Sequence, residues 1–127
     1  MATLGATLTR VEPGIVEIRL PFRPDLTQQH GFIHAAAVAA IADSACGYAA
    51  FTLMPAGTGV LSIEYKINLL APAEGEALVA RARVIRPGRT ITVCWADVAA
   101  SAAGAERAVA TMVATMMTIR DRPDVVG

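Results

Sequence analysis

The sequence predicts an α+β domain in which an antiparallel β-sheet wraps around one long buried α-helix. Three observations predict it. The segment from Phe32 to Met54, FIHAAAVAAIADSACGYAAFTLM, is rich in alanine, the strongest helix former, and too long for a strand. Two strand-like runs precede it and four follow, most of them closed by Gly or Pro. The 127 residues suit a single domain spanning 1–127, without repeat, linker or low-complexity stretch.

Each element has its own signal. Between Ala6 and Phe22, Leu8, Val11, Ile15, Val16, Ile18 and Leu20 are strand formers on either side of the turn Glu12-Pro13-Gly14. Pro21 and Pro24 break regular structure, so Arg23 to Ile33 reads as a loop. The long helix is apolar nearly all round, which predicts burial on every side. Pro55-Ala-Gly57-Thr-Gly59 ends it. Val60 to Leu70 then runs to Ala71-Pro72, Glu76 to Ile85 to Arg86-Pro87-Gly88, and Thr90 to Ala100 towards Ala103-Gly104. Glu106 to Arg120 fits strand or helix by pattern, and Thr111, Val113, Thr115 and Thr118-Ile119 favour strand. Asp121 to Gly127 reads as a frayed tail. Helix-on-sheet packing then makes the strands a meander around the helix.

Composition excludes several classes. Hydrophobic residues make up 54% and charged residues 17%, too apolar for disorder. The mean hydropathy of +0.49 is high for so short a chain and points to apolar subunit contacts. The net charge of +0 offers no basic face for nucleic acid. Asp43 in mid-helix, and the lack of flanking basic residues, argue against a membrane span. Cys46 and Cys94 lie in apolar runs without metal-ligand spacing and read as buried free thiols. Met1-Ala-Thr-Leu-Gly lacks a basic start followed by an apolar stretch, so the cytoplasm is the expected compartment.

The polar residues among the apolar runs are few. Gln28, Gln29 and His30 precede Gly31, His34 opens the helix, Asp43 and Ser44 lie in its middle, and Ser62 and Glu64 lie on the next strand. No Ser, Thr, Asp or Asn stands before His34 as a cap, so the first helical N–H groups either meet water and backbone or bind a polarised carbonyl oxygen. A carboxylate in an apolar helix costs several kcal/mol unless paired or protonated. Asp43 is therefore either bonded to backbone or Ser44, or a general base or nucleophile with a raised pKa. His34 and Asp43 are nine positions apart. If both are helical, they lie on opposite faces and roughly 13 Å apart, so Asp43 either acts separately or meets His34 of a second chain. Arg81, Arg83, Arg86 and Arg89 form either a solvated edge or a grip for the phosphates of a nucleotide-like ligand.

The pattern Gln28-x-x-Gly31-x-x-His34-Ala35-Ala36, followed by Asp43, resembles the signature of the hotdog acyl-CoA thioesterases, in particular the PaaI-like and 4-hydroxybenzoyl-CoA thioesterase branches. VLSIEYKINLLAPA resembles that family's central strand, and VIRPGRTITVCWADV its following hairpin; the likeness spans nearly the whole chain in order. The family's His-Gly-Gly reads His34-Ala35-Ala36 here, which keeps the N–H groups and adds methyls where close approach is needed.

The resemblance implies the hotdog fold and roles residue by residue. Asp43 would activate water or attack the thioester, and Gln28 would orient nucleophile or thioester. The Ala35 N–H would polarise the carbonyl, His34 would support that end of the helix, and Ser62 would hold the attacking water. Gly31 would contact substrate, and the stretch holding Arg86, Gly88, Arg89 and Thr90 would contact it near the CoA nucleotide. Neither metal nor other cofactor is implied, CoA being part of the substrate. The expected partners are acyl-CoA and further copies of the chain, as a dimer or dimer of dimers with shared sites. Phe32, Tyr48, Phe51 and Tyr65 are candidates for the acyl pocket. The alternative is a non-catalytic acyl-CoA-binding protein on the same fold, which has no need of a buried acid. A dehydratase or hydratase would need a second histidine motif, and His30 and His34 are the only histidines.

Overall fold

The computed structural model describes residues 3–28 and 31–120; Gln29, His30 and the tail from Asp121 lie outside them. Strands β1 (Thr7–Glu12) and β2 (Ile15–Pro21) form a hairpin, and one turn of 3-10 helix follows at Pro24–Leu26. Helix α1 (Ala35–Phe51) comes next, then β3 (Gly59–Leu69), β4 (Ala77–Arg86), β5 (Ile91–Ala102) and β6 (Ala105–Ile119). The last run is a strand, as its threonines favour.

The six strands form one antiparallel sheet in the order β1-β2-β4-β5-β6-β3. This is not the simple meander that the strand spacing suggests. β4 pairs with β2, and β3 pairs with β6 at the far edge. The helix carries the chain across the sheet between β2 and β3, so strands adjacent in sequence end up at opposite sides.

One face of the helix packs on the sheet. Ala37, Val38, Ile41, Ala42, Ala45, Cys46, Ala49 and Ala50 are buried there. They meet inward residues such as Val16 and Ile18 of β2, Leu78 and Ala80 of β4, Val98 of β5 and Met112 of β6. Alanines on both layers let the helix lie close to the strands, while Ile18, Leu20, Ile41, Leu78, Met112 and Met116 fill the remaining volume. Burial of each large side chain contributes about 1.5–3 kcal/mol.

Two expectations about the helix are corrected. It is not buried all round: Ala35, Ala36 and Tyr48 are exposed, and Ala39, Ala40, Asp43, Ser44 and Gly47 are half-buried. A single sheet covers only one side, and alanine tolerates either environment, so the composition hid the open face. Nor is the start uncapped. His34 is itself the N-cap, with extended backbone (φ −61°, ψ 140°), and its Nδ1 accepts the Ala36 N–H at 3.0 Å. The helix also begins after Phe32 and Ile33, because Ile33 bridges to Thr27 and donates to the Ala73 carbonyl.

Candidate active site

The polar residues singled out by sequence fall into two groups on one chain. The first surrounds the start of α1. The Gln28 N–H donates to the Phe32 carbonyl at 2.7 Å, and the Gly31 N–H returns to the Gln28 carbonyl at 2.9 Å. Gly31 has φ +83°, a left-handed conformation that favours glycine, so its demonstrable work is to turn the chain. The turn brings Gln28 beside His34 and Ala35 at the mouth of a cleft of about 490 Å³. Phe32, Val38, Leu69, Leu70 and Val109 are among its walls. The caps are divided unevenly: His34 Nδ1 takes the Ala36 N–H and the His34 carbonyl takes those of Ala37 and Val38. Among the described residues the Ala35 N–H has no partner, and it opens beside the cleft. A helix N-terminus with a spare donor suits a polarised carbonyl oxygen.

The second group centres on Asp43. Its Oδ1 accepts the Ser62 hydroxyl at 2.7 Å, so the serine that holds it comes from β3 and is not the adjacent Ser44. Ser62 Oγ also lies 3.3 Å from Met116 Sδ, but its single proton goes to the better acceptor, the carboxylate. Ser62 reaches the helix because the β3–β6 register shifts between Ser62 and Glu64. Such a bulge re-aims side chains; here Ser62 stays opposite Met116 on the helix side, while Glu64 pairs with Thr115 on the other.

The two groups do not meet within a chain, and the cleft is lined by neither Asp43 nor Ser62. Their relation differs from the opposite-face geometry expected for His34 and Asp43, because His34 is extended, not helical. Ala35 is the first helical residue. Asp43 follows it by eight positions, about 12 Å along the axis and only about 80° around it. Both therefore belong to the open side of the helix.

The four arginines separate into two kinds. Arg81 makes a two-pronged bond to Glu106 at 2.7 and 2.8 Å and lies 3.8 Å from Glu17, while Arg83 stacks over Trp95 at 6.0 Å. Arg86 and Arg89 form no ion pair among the described residues and sit exposed at the β4–β5 turn. Gly88 is needed there, since a Cβ would come within 2.0 Å of the Ile91 carbonyl oxygen. Thr90 accepts the Thr118 N–H at 2.8 Å. Gly88 and Arg89 line a second cavity of about 320 Å³ against Met54 and Arg120, at the other end of α1.

Of the four aromatic pocket candidates, Phe32 lines the cleft, and Tyr48, Phe51 and Tyr65 do not. Val38 of α1, Leu69 and Leu70 at the end of β3 and Val109 of β6 also line it, and sequence did not single them out because aliphatic residues in regular elements carry no mark of a cleft. Cys46 and Cys94 are both buried. Hydrogen bonding to Cys94, then burial, pushes the Cys46 thiol far above its ordinary range, so it stays protonated. Among the described residues no group of His, Cys, Asp and Glu is placed to hold a metal, and no helix is long and apolar enough to cross a membrane.

Comparison with known proteins bears on the fold and the family. Residues 30–98 match the thioesterase superfamily. A thioesterase family protein from Silicibacter pomeroyi is 51% identical, with all of this chain and 89% of that chain covered, at a TM-score of 0.92. Two more distant structures share the fold. The PaaI protein of the E. coli phenylacetic acid degradation operon is 19% identical, over 93% of this chain and 82% of its own, at 0.81. A Bacillus halodurans protein solved with CoA is 24% identical, over 81% of this chain and 66% of its own, at 0.76. Among functionally curated proteins no sequence matches. One helix wrapped by a six-stranded antiparallel sheet is the hotdog fold, and the chain belongs to the thioesterase superfamily, a family of thioester hydrolases.

Proposed function

We propose that this protein hydrolyses acyl-CoA thioesters, and that each active site combines the helix start of one chain with Asp43 of a second. The observation that carries the reading is the pairing of a spare Ala35 N–H at a cleft with a serine-held carboxylate about 12 Å further along the same open helix face. Two such helices, antiparallel about a two-fold axis near Ala39, set Ala35 of each chain opposite Asp43 of the other. Alanines and Gly47 on that face permit close approach. β3 supports the same assembly: it is an edge strand with Leu61, Ile63 and Tyr65 exposed, and unpaired edges favour strand addition.

In this site the thioester carbonyl oxygen accepts the Ala35 N–H, with Gln28 beside it. The Asp43 carboxylate removes a proton from a water held by Ser62, and the oxygen of that water adds to the carbonyl carbon. The resulting oxyanion is held at the helix start, the C–S bond breaks, and the thiolate takes the proton back from Asp43. The products are a free acid and CoA. Direct attack by the carboxylate would give an anhydride that water then cleaves, with the same products. Unpaired Arg86 and Arg89 supply cations for CoA phosphates, with Gly88 and Thr90 shaping the turn that presents them. Buried reduced thiols suit a cytoplasmic setting.

Asp43→Asn tests the chemistry. It keeps size and removes charge, so kcat should fall on the order of 10²-fold or more with Tm nearly unchanged. Turnover equal to the parent would leave a non-catalytic acyl-CoA-binding protein as the better reading. Mixing tests the shared site. Asp43→Asn and Gln28→Ala chains, each weak alone, should regain activity when refolded together, because each mixed pair then holds one intact site. No regain would place the whole site within one chain.

A further inference from the structure

We infer that the cleft beside Ala35 takes the acyl arm of the substrate, and that it selects acyl groups carrying no polar substituent beyond the carbonyl. The inference rests on the thioesterase reading above and adds the class of acyl group.

A thioester held by the Ala35 N–H has two arms, acyl and pantetheine, and one of them must enter the cleft. The walls decide which. Phe32, Val38, Leu69, Leu70, Pro72 and Val109 contribute no side-chain hydrogen-bonding group, and the polar side chains, Gln28 and His34, belong to the helix-start loop at the mouth. Three backbone donors on the walls are engaged: Leu70 and Ala71 both give their N–H to the Val109 carbonyl, at 2.8 and 3.4 Å, and Ile33 gives its N–H to Ala73 at 2.8 Å. His34 Nδ1 is taken by Ala36. Pantetheine carries two amides, and burying an amide without a partner is costly. The pantetheine arm therefore remains in solvent and the acyl arm enters. The same reasoning applies to the acyl group itself, since a hydroxyl or carboxylate on it finds no side-chain partner in these apolar walls. The volume of about 490 Å³ is ample for a small acyl group.

The test is kcat/KM over matched sets: butyryl-, 3-hydroxybutyryl- and succinyl-CoA, and phenylacetyl- against 4-hydroxyphenylacetyl-CoA. Each unsubstituted parent should exceed its hydroxylated partner by about 10-fold or more. Butyryl-CoA should exceed succinyl-CoA by about 100-fold or more, because a charge is far harder to bury. Leu70 is 57% exposed, so Leu70→Arg leaves the core intact. It should narrow the butyryl-to-succinyl ratio by about 10-fold, by bringing a cation to the cleft. Equal values within each set, or an unchanged ratio in the variant, would overturn the inference. If no thioester is turned over, the catalytic reading fails, and calorimetric Kd values still decide this one. Butyryl-CoA binding about 10-fold tighter than succinyl-CoA supports it, and equal affinities overturn it.

Discussion

His34 does two jobs with one ring nitrogen. By accepting the Ala36 N–H it caps the helix, and by lying before Ala35 it leaves that donor free at the cleft. Replacing a capping side chain by Ala costs about 1 kcal/mol, and Asn is a good cap. His34→Ala should therefore lower stability by about that much in urea unfolding, and His34→Asn should recover most of it. Equal losses in both variants would mean that the cap is not what His34 contributes. Gly88 makes a sharper case. Its missing Cβ would lie 2.0 Å from the Ile91 oxygen, so Gly88→Ala must shift the β4–β5 turn. Its Tm should fall by several degrees, with the KM for acyl-CoA raised if Arg89 meets phosphate from that turn. An unaltered Tm would show that the turn relaxes freely.

Among the strands, the clearest electrostatic link is Arg81 on β4 with Glu106 on β6, which spans β5. The hydrogen bond from Arg81 holds the Glu106 carboxyl below its ordinary value of 4.5. A lowered folded-state pKa means that the stabilisation is present above the unfolded value and is lost as pH falls through the folded one. The pair is solvent-exposed, so its contribution is at most about 1 kcal/mol. Glu106→Gln should be slightly less stable than the parent at pH 7, and the gap should close as pH falls through the lowered pKa of Glu106. A gap that persists at pH 2 would point to packing instead of charge.

At the scale of the whole molecule, one chain leaves apolar and polar surface uncovered. Its helix has an open face, its sheet has an open edge, and its two polar groups stand apart. Light scattering at micromolar concentration should show a dimer or dimer of dimers. Ala39 lies half-buried midway between Ala35 and Asp43. Ala39→Arg should thus separate the chains, keep the secondary structure seen by circular dichroism, and abolish turnover with every site residue in place. A stable, active monomer would defeat both the assembly and the shared site.

The sequence by itself determined the elements. Alanine-rich helix and threonine-rich strand are short-range preferences, and Pro and Gly mark where they stop, so one helix and six strands were legible along with Asp43 as the lone acid of the helix. Element boundaries were less so: Phe32 and Ile33 look helical by composition, yet contacts to Thr27 and Ala73 hold Ile33 in the loop. Only the tertiary structure decided what depends on distant pairing. It set β3 beside β6, turned Ser62 onto Asp43 through a bulge, and joined Leu70 to Val109 as a cleft wall. The reason is physical: strand order and register follow from the packing of residues far apart in the chain, to which local propensity is blind.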